Sequence, residues 1–288
     1  MELILRLSFA AIAGMVFALL YYGIYKIIKR RILKNAPEEA RIDTLRKYSE
    51  YEKDKVKVKH SPKMVLNRPV PDILRKYNYS EYFKADADSD EIVFSMLNFV
   101  CDNFRHGSNA NIKGRHSLIG VIKSCEKTDM KTNCRGLSLM LAELLRMNGV
   151  RARHVCCKPY EEPFSDCHVV VDCLLPSGAR IMLDPTYRLY LTDDNGEYVS
   201  LAQLREGIIA GRTFHHNADA SYNGEDFDYG DYIEYMTKNV LRFNTNYNLN
   251  DTDSPFSEIE LIPKGYTTDK YSKAVQYTTD PDYFWDLG

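Results

Sequence analysis

The chain has no excess of positive charge: 38 Lys and Arg stand against 40 Asp and Glu, a net charge of −2. That balance gives no electrostatic case for a nucleic acid partner, whose phosphates call for clustered Lys and Arg. Its seven cysteines are no scaffold either. Their number is odd, they contain no C-x-x-C pair, and their spacing fits neither a disulfide framework nor a zinc finger. Cys101, Cys125, Cys156 and Cys173 fall on predicted helices or strands, where reduced, buried thiols are expected, and this favours a reducing compartment. No internal repeat is visible, and Trp285 is the single tryptophan. "DADSDE", residues 86–91, opens like a calcium loop. It puts Glu91 where the loop needs glycine and Leu97 where it needs a bidentate acid, so it reads as a helix start. No metal or cofactor is expected.

What is present begins with residues 7–25, "LSFAAIAGMVFALLYYGIY", an uncharged run of 19 residues. That is long enough to span a bilayer as a helix. No A-x-A cleavage site follows it, so it reads as an uncleaved anchor and not a signal peptide. Tyr21, Tyr22 and Tyr25 suit an interface, and Lys26, Lys29, Arg30, Arg31 and Lys34 come next. By the positive-inside rule the C-terminal bulk is cytoplasmic. Four regions are expected: an anchor with its basic flank (1–34), a charged spacer (35–85), a folded core (86–213), and a Tyr-rich extension (214–288) adding strands to that core.

Within the core, hydrophobic spacing predicts helices first. "DSDEIVFSMLNFVCDNFRHG" has a capping-box start at Asp88 and Glu91 and an apolar stripe running from Ile92 to Phe104. "HSLIGVIKSCEK" fits a second helix and "TNCRGLSLMLAELLRMNG" a third. After Gly149 the period turns to alternation. "VRARHVCC" reads as a strand, and "DCHVVVDCLL", "PSG", "ARIMLDPTYRLYL" as a hairpin. Helices followed by antiparallel strands imply an α+β fold, with the helices on one side of the sheet. Farther on, "YIEYMTKNVLRF" and "SEIELIP" are each expected to supply a strand, and the tail from Tyr266 to be irregular.

Cys134 follows Asn133, a good N-cap, and so lies at the start of the third helix and outside its leucine stripe. The positive end of a helix stabilises a thiolate. A nucleophilic cysteine also needs a base, and the base an orienting partner. His168 and Asp184 are placed to serve. If Gly178 closes a three-residue loop in the left-handed conformation, Leu175 pairs with Ala179 and Asp184 falls opposite Val170. His168, two residues from Val170, then shares a face with Asp184 as its diagonal neighbour.

Cysteine at a helix start, "GVRAR" after that helix, a strand led by histidine, then "LDPTY" resembles the transglutaminase-like superfamily over roughly residues 117–191. The resemblance implies a papain/transglutaminase-like α+β core, its N-terminal helices packed on an antiparallel sheet, preceded here by a single transmembrane helix. It also implies Cys134 as nucleophile, His168 as base and Asp184 as the group that orients it. Aromatic residues frequent in the superfamily after the histidine and before "LDP" are replaced here by Val169, Val170 and Met182. The indole or amide that some members place beside the oxyanion has no evident counterpart. The function so implied is a membrane-anchored cysteine enzyme acting on a peptide or protein amide through a thioester, with hydrolysis favoured. The alternatives are an amine-accepting transglutaminase and a non-catalytic binding domain at the membrane.

Overall fold

The computed structural model describes residues 15, 21–22, 24, 38–53, 63–83, 90–160, 163–250, 257–267 and 275–287. Of the expected anchor only Met15, Tyr21, Tyr22 and Ile24 are described, all helical and exposed. The basic flank lies outside the described residues. Among the described residues no helix is long and apolar enough to cross a membrane.

In chain order the α-helices of five or more described residues are α1 (Glu38–Lys47), α2 (Glu91–Asn103), α3 (Leu118–Cys125), α4 (Cys134–Met147), α5 (Leu201–Ala210), α6 (Tyr229–Asn239) and α7 (Pro281–Trp285). The strands are β1 (Arg105–His106), β2 (Lys131–Thr132), β3 (Arg151–Lys158), β4 (His168–Leu174), β5 (Arg180–Asp184) and β6 (Leu189–Thr192). They continue with β7 (His215–His216), β8 (Ser221–Tyr222), β9 (Glu225–Asp226), β10 (Arg242–Asn246), β11 (Glu258–Leu261) and β12 (Gln276–Thr278). Eight of them form one sheet in the order β12-β11-β10-β3-β4-β5-β6-β7, antiparallel except between β11 and β12.

Helices cover both faces of this sheet, not one. On one face α2, α3 and α4 pack on Ala152, Val171, Cys173, Ile181 and Leu183. On the other, α1, α5 and α6 pack on Val155, Cys157, Val170 and Met182. The cause is written in β4, where His168 to Cys173 are buried at every position. A strand covered on one side alternates, whereas one covered on both sides reads as a continuous apolar run. Leu141, Leu144 and Leu145 of α4 are fully buried, each worth about 1.5–3 kcal/mol by area.

Other expectations change with the structure. "YIEYMTKNVLRF" is a helix followed by a strand, α6 then β10. Tyr232 and Met236 recur four apart and are buried, and Asp228 caps the helix by accepting from the Asp231 N–H. The tail supplies β12 and α7. Helix α2 begins at Glu91 behind Asp90, which makes no side-chain cap, and Asp88 lies outside the described residues. The region expected to be a solvated spacer is partly packed on the core, with Leu45 in one apolar cluster and Leu74 and Tyr79 in the other.

The register of the β4–β5 hairpin determines where Asp184 stands. Val171 pairs with Leu183 and Leu174 with Arg180, which sets Asp184 opposite Val170. Leu175 N–H donates to the Ala179 carbonyl at 2.8 Å, and Gly178 takes a φ of +93°, a conformation glycine adopts without penalty. Arg153 and Asp172 are cross-strand partners, and the guanidinium binds one carboxylate oxygen through Nε at 3.1 Å and Nη2 at 3.0 Å. Both are buried. A slipped register would strand two charges away from water.

Candidate active site

Cys134 is placed by its neighbours on both sides. The Asn133 side chain accepts from the Gly136 N–H at 3.1 Å and donates to Asn111 Oδ1 at 3.1 Å. A Cβ on Gly136 would stand 2.1 Å from Thr132 Oγ1, so the absence of a side chain there lets α4 start hard against β2. The thiol thus belongs to the first helical turn, whose N–H groups have no carbonyl partner within the helix.

His168 and Asp184 meet as the register requires. The imidazole Nε2 lies 2.6 Å from Asp184 Oδ2, with both side chains almost wholly buried. The carboxylate is held by two further donors, the Thr186 N–H at 2.9 Å and the Tyr232 hydroxyl at 3.2 Å. The ring of His168 lies between Tyr235, 5.5 Å away edge-on, and Tyr187, 6.0 Å away. With Nε2 engaged by the carboxylate, Nδ1 is left to face the sulfur, and Cys134 and His168 line one cavity, near enough to shift each other's titration.

The approach of helix to strand differs from the simplest expectation. His168 and Asp184 point to the face that carries Val170 and Met182, while α4 packs on the opposite face. The thiol reaches the imidazole at the end of β4, not across the sheet. The Val169 N–H at that strand end also donates to Cys134.

Sequence reasoning missed a second imidazole. His106 lines the cavity beside Cys134 and helps to lower its pKa. Its Nδ1 is 2.9 Å from the Tyr222 hydroxyl, and its backbone is clamped by Asn223 through N–H and C=O contacts of 2.8 and 3.1 Å. The parallel pairing of β1 with β2, His106 to Thr132, brings it beside the helix start. Two residues of strand carry no periodic signal, so nothing in the sequence marked it.

Burial alone would raise the Cys134 pKa. The hydrogen bonds from His106 and His168, the charge of His168 and the Val169 N–H outweigh it and bring the thiol from its usual 9.0 down to about 6. For His168, burial disfavours the charged ring, but the Asp184 carboxylate and then the Cys134 sulfur raise it to about 10. Near neutrality the pair is a thiolate beside an imidazolium.

Around it lies an open cavity of about 700 Å³. One wall is built by the Tyr-rich C-terminal region, with Tyr222, Phe227, Tyr232 and Tyr235 beside the exposed carboxylates Asp226, Asp228 and Asp231.

Helix start, strand histidine and the aspartate before proline thus stand next to one another. No family profile and no curated protein matches the sequence. Two solved structures are similar. One is a candidate cysteine protease from Cytophaga hutchinsonii, 18% identical, with 55% of each chain covered and a TM-score of 0.31. The other, described as a TGase, is 15% identical, with 58% of this chain and 38% of its own covered and a TM-score of 0.28. The present chain thus spans about half or less of either protein. Superpositions at this level carry no weight for activity, and the functional reading rests on side-chain geometry.

Trp285 supplies no indole to the site: it packs on Phe284, Phe243 and the Arg153 guanidinium. The position beside the sulfur is taken by His106. Among the described residues no cluster of His, Cys, Asp and Glu is arranged to hold a metal ion.

Proposed function

We propose that this protein is a cysteine acyl-transfer enzyme that attacks amide carbonyls and passes through a thioester on Cys134. The observation that carries the reading is the buried His168–Asp184 pair, its imidazole and carboxylate 2.6 Å apart, beside the partly exposed Cys134 at the cavity. The thiolate adds to the carbonyl carbon, and the oxyanion is met by helix-start N–H groups and by His106. His168 gives its proton to the leaving amine as the C–N bond breaks, then takes one from the water that cleaves the thioester. Asp184 keeps the ring oriented and charged.

Hydrolysis is the favoured outcome, giving a protease or amidase. The acidic wall of Asp226, Asp228 and Asp231 favours substrates with a positive charge near the scissile amide. The same wall supports a second reading, in which an amine replaces water and the enzyme is a transglutaminase. We further propose that residues 7–25 anchor the chain in a membrane and that the basic cluster after them keeps the enzyme on the cytoplasmic side.

A panel of Gln-containing and Lys-flanked peptides, assayed with and without a primary amine, tests the reaction. Peptide cleavage or deamidation in wild type, absent in Cys134→Ala, is expected. Retention of full activity in Cys134→Ala would remove the nucleophile assignment. Amine incorporation exceeding hydrolysis would select the second reading.

A further inference from the structure

Three thiols, not one, line the cavity: Cys134, Cys156 and Cys167. The acyl-transfer chemistry uses only the first. Cys157, next in line, is fully buried in the core behind β3. Cys101, Cys125 and Cys173 do not reach the cavity.

Strand pairing explains why the two extra thiols sit together. Cys156 on β3 pairs with Val169 on β4. Cys167 lies two residues before Val169, so it faces the same side as Cys156. It also lies one residue beyond the last ladder pair, Cys157 with His168, so the ladder does not fix its backbone. Both line the same cavity, near enough that each thiol shifts the titration of the other. Cys167 is partly exposed and immediately precedes His168, the partner of Cys134.

We propose that Cys156 and Cys167 form a resolving dithiol that rescues the nucleophile from oxidation by a hydroperoxide. This rests on the reading of Cys134 as a reactive thiolate, the species that peroxide attacks first. The Cys134 sulfur takes one peroxide oxygen, the O–O bond breaks, and hydroxide leaves to become water. The Cys167 sulfur then attacks the sulfenic sulfur, an S–S bond forms, and a second hydroxide leaves as water. Finally Cys156 loses its proton to solvent and attacks the Cys167 sulfur, releasing Cys134 as thiolate. In total two thiols and one hydrogen peroxide give one disulfide and two waters.

The direction of the last step is set by leaving-group strength, since the thiol of lower pKa leaves faster. Cys134 is brought down to about 6 by its imidazoles despite burial. The hydrogen bond from Cys156 lowers Cys167 only to about 7 and pushes Cys156 itself well up. Cys134 is therefore the favoured group to be expelled, and the disulfide comes to rest away from the catalytic sulfur.

The test uses the full chain, treated with a tenfold excess of hydrogen peroxide, quenched with N-ethylmaleimide and digested without reductant for mass spectrometry. Wild type is expected to show a Cys156–Cys167 disulfide with Cys134 still open to maleimide. Cys156→Ala is expected to trap a Cys134–Cys167 disulfide. Cys167→Ser, at a partly exposed position, is expected to accumulate at least tenfold more Cys134 sulfinic acid. Sulfinic acid on wild-type Cys134 without any Cys156–Cys167 link, or an unchanged yield in Cys167→Ser, would overturn the proposal. Iodoacetamide labelling at pH 6 of the same preparation, before any peroxide or maleimide is added, separates the failures. Rapid labelling of Cys134 with no disulfide sinks only the resolving pair, whereas an inert Cys134 sinks the acyl-transfer reading and the relay with it.

Discussion

Replacing Asp184 by asparagine removes one charge and keeps the shape of the side chain. In the native protein that carboxylate is the main cause holding His168 at about 10 against burial, which pulls the other way from 6.5. Two unit charges about 4 Å apart at an effective dielectric of about 20 attract by roughly 4 kcal/mol, a factor of about 10³ in a protonation equilibrium. That factor takes the buried ring from about 10 to near 7, so at pH 7 about half of the molecules lack the cation beside Cys134. A thiol at about 6 is roughly 90% thiolate at pH 7, and one raised to about 8, with His106 still beside it, is roughly 10%. Alkylation by iodoacetamide at pH 7 should therefore slow by about twofold to tenfold in Asp184→Asn. Rates followed by intact mass from pH 5 to 10 should show the midpoint moving up from near 6 to about 7–8, with the two proteins converging at the alkaline end. Equal rates at pH 7 and an unmoved midpoint would refute the chain of reasoning. The thiolate would then be held by His106 and the helix start alone.

The same geometry carries three further outcomes. His106→Ala should raise the pH midpoint of Cys134 alkylation, because the hydrogen bond it removes is the largest of those lowering that pKa; an unmoved midpoint would detach His106 from the sulfur. Amide turnover in the native enzyme should fall below about pH 6, where the thiolate is protonated, and above about 10, where His168 loses the proton the leaving amine needs, whereas alkylation should show only the acid limb. Deleting Ser177 shortens the loop that Gly178 closes at a φ of +93° and shifts β5 by one residue, which turns Asp184 to the other face. Activity should drop further than in Asp184→Asn, and an equal or smaller loss would show that the register does not set the triad.

Much of this site could be read from the chain because each part carries a local signal. Asn133 before Cys134 marks a helix start, and "PSG" between two strand-like runs predicts a register that places His168 beside Asp184. His106 left no such mark, since its strand is two residues long and its partner on β2, Thr132, lies 26 residues farther along the chain. The second covered face of the sheet does have a signature: "HVVVDC" has no polar alternation, which is how a strand covered on both sides looks. "YIEYMTKNVLRF", residues 232–243, looks like a strand because its tyrosines suit one by propensity. The spacing of Tyr232 and Met236 and the Asp228 cap favour the helix that forms. That helix and the loop before it bring the acids and aromatics of the extension to the cavity, a placement only tertiary packing decides.

The most direct test is residue-resolved labelling of all seven cysteines with iodoacetamide at pH 6, read by peptide mass spectrometry. At that pH Cys134, at about 6, is half thiolate, and Cys167, at about 7, roughly one tenth. The account predicts that Cys134 is modified first, about fivefold ahead of Cys167, with the other five cysteines unmodified, and that His168→Ala abolishes the lead. Labelling of Cys134 no faster than that of the buried Cys125, or a lead that survives His168→Ala, would contradict it.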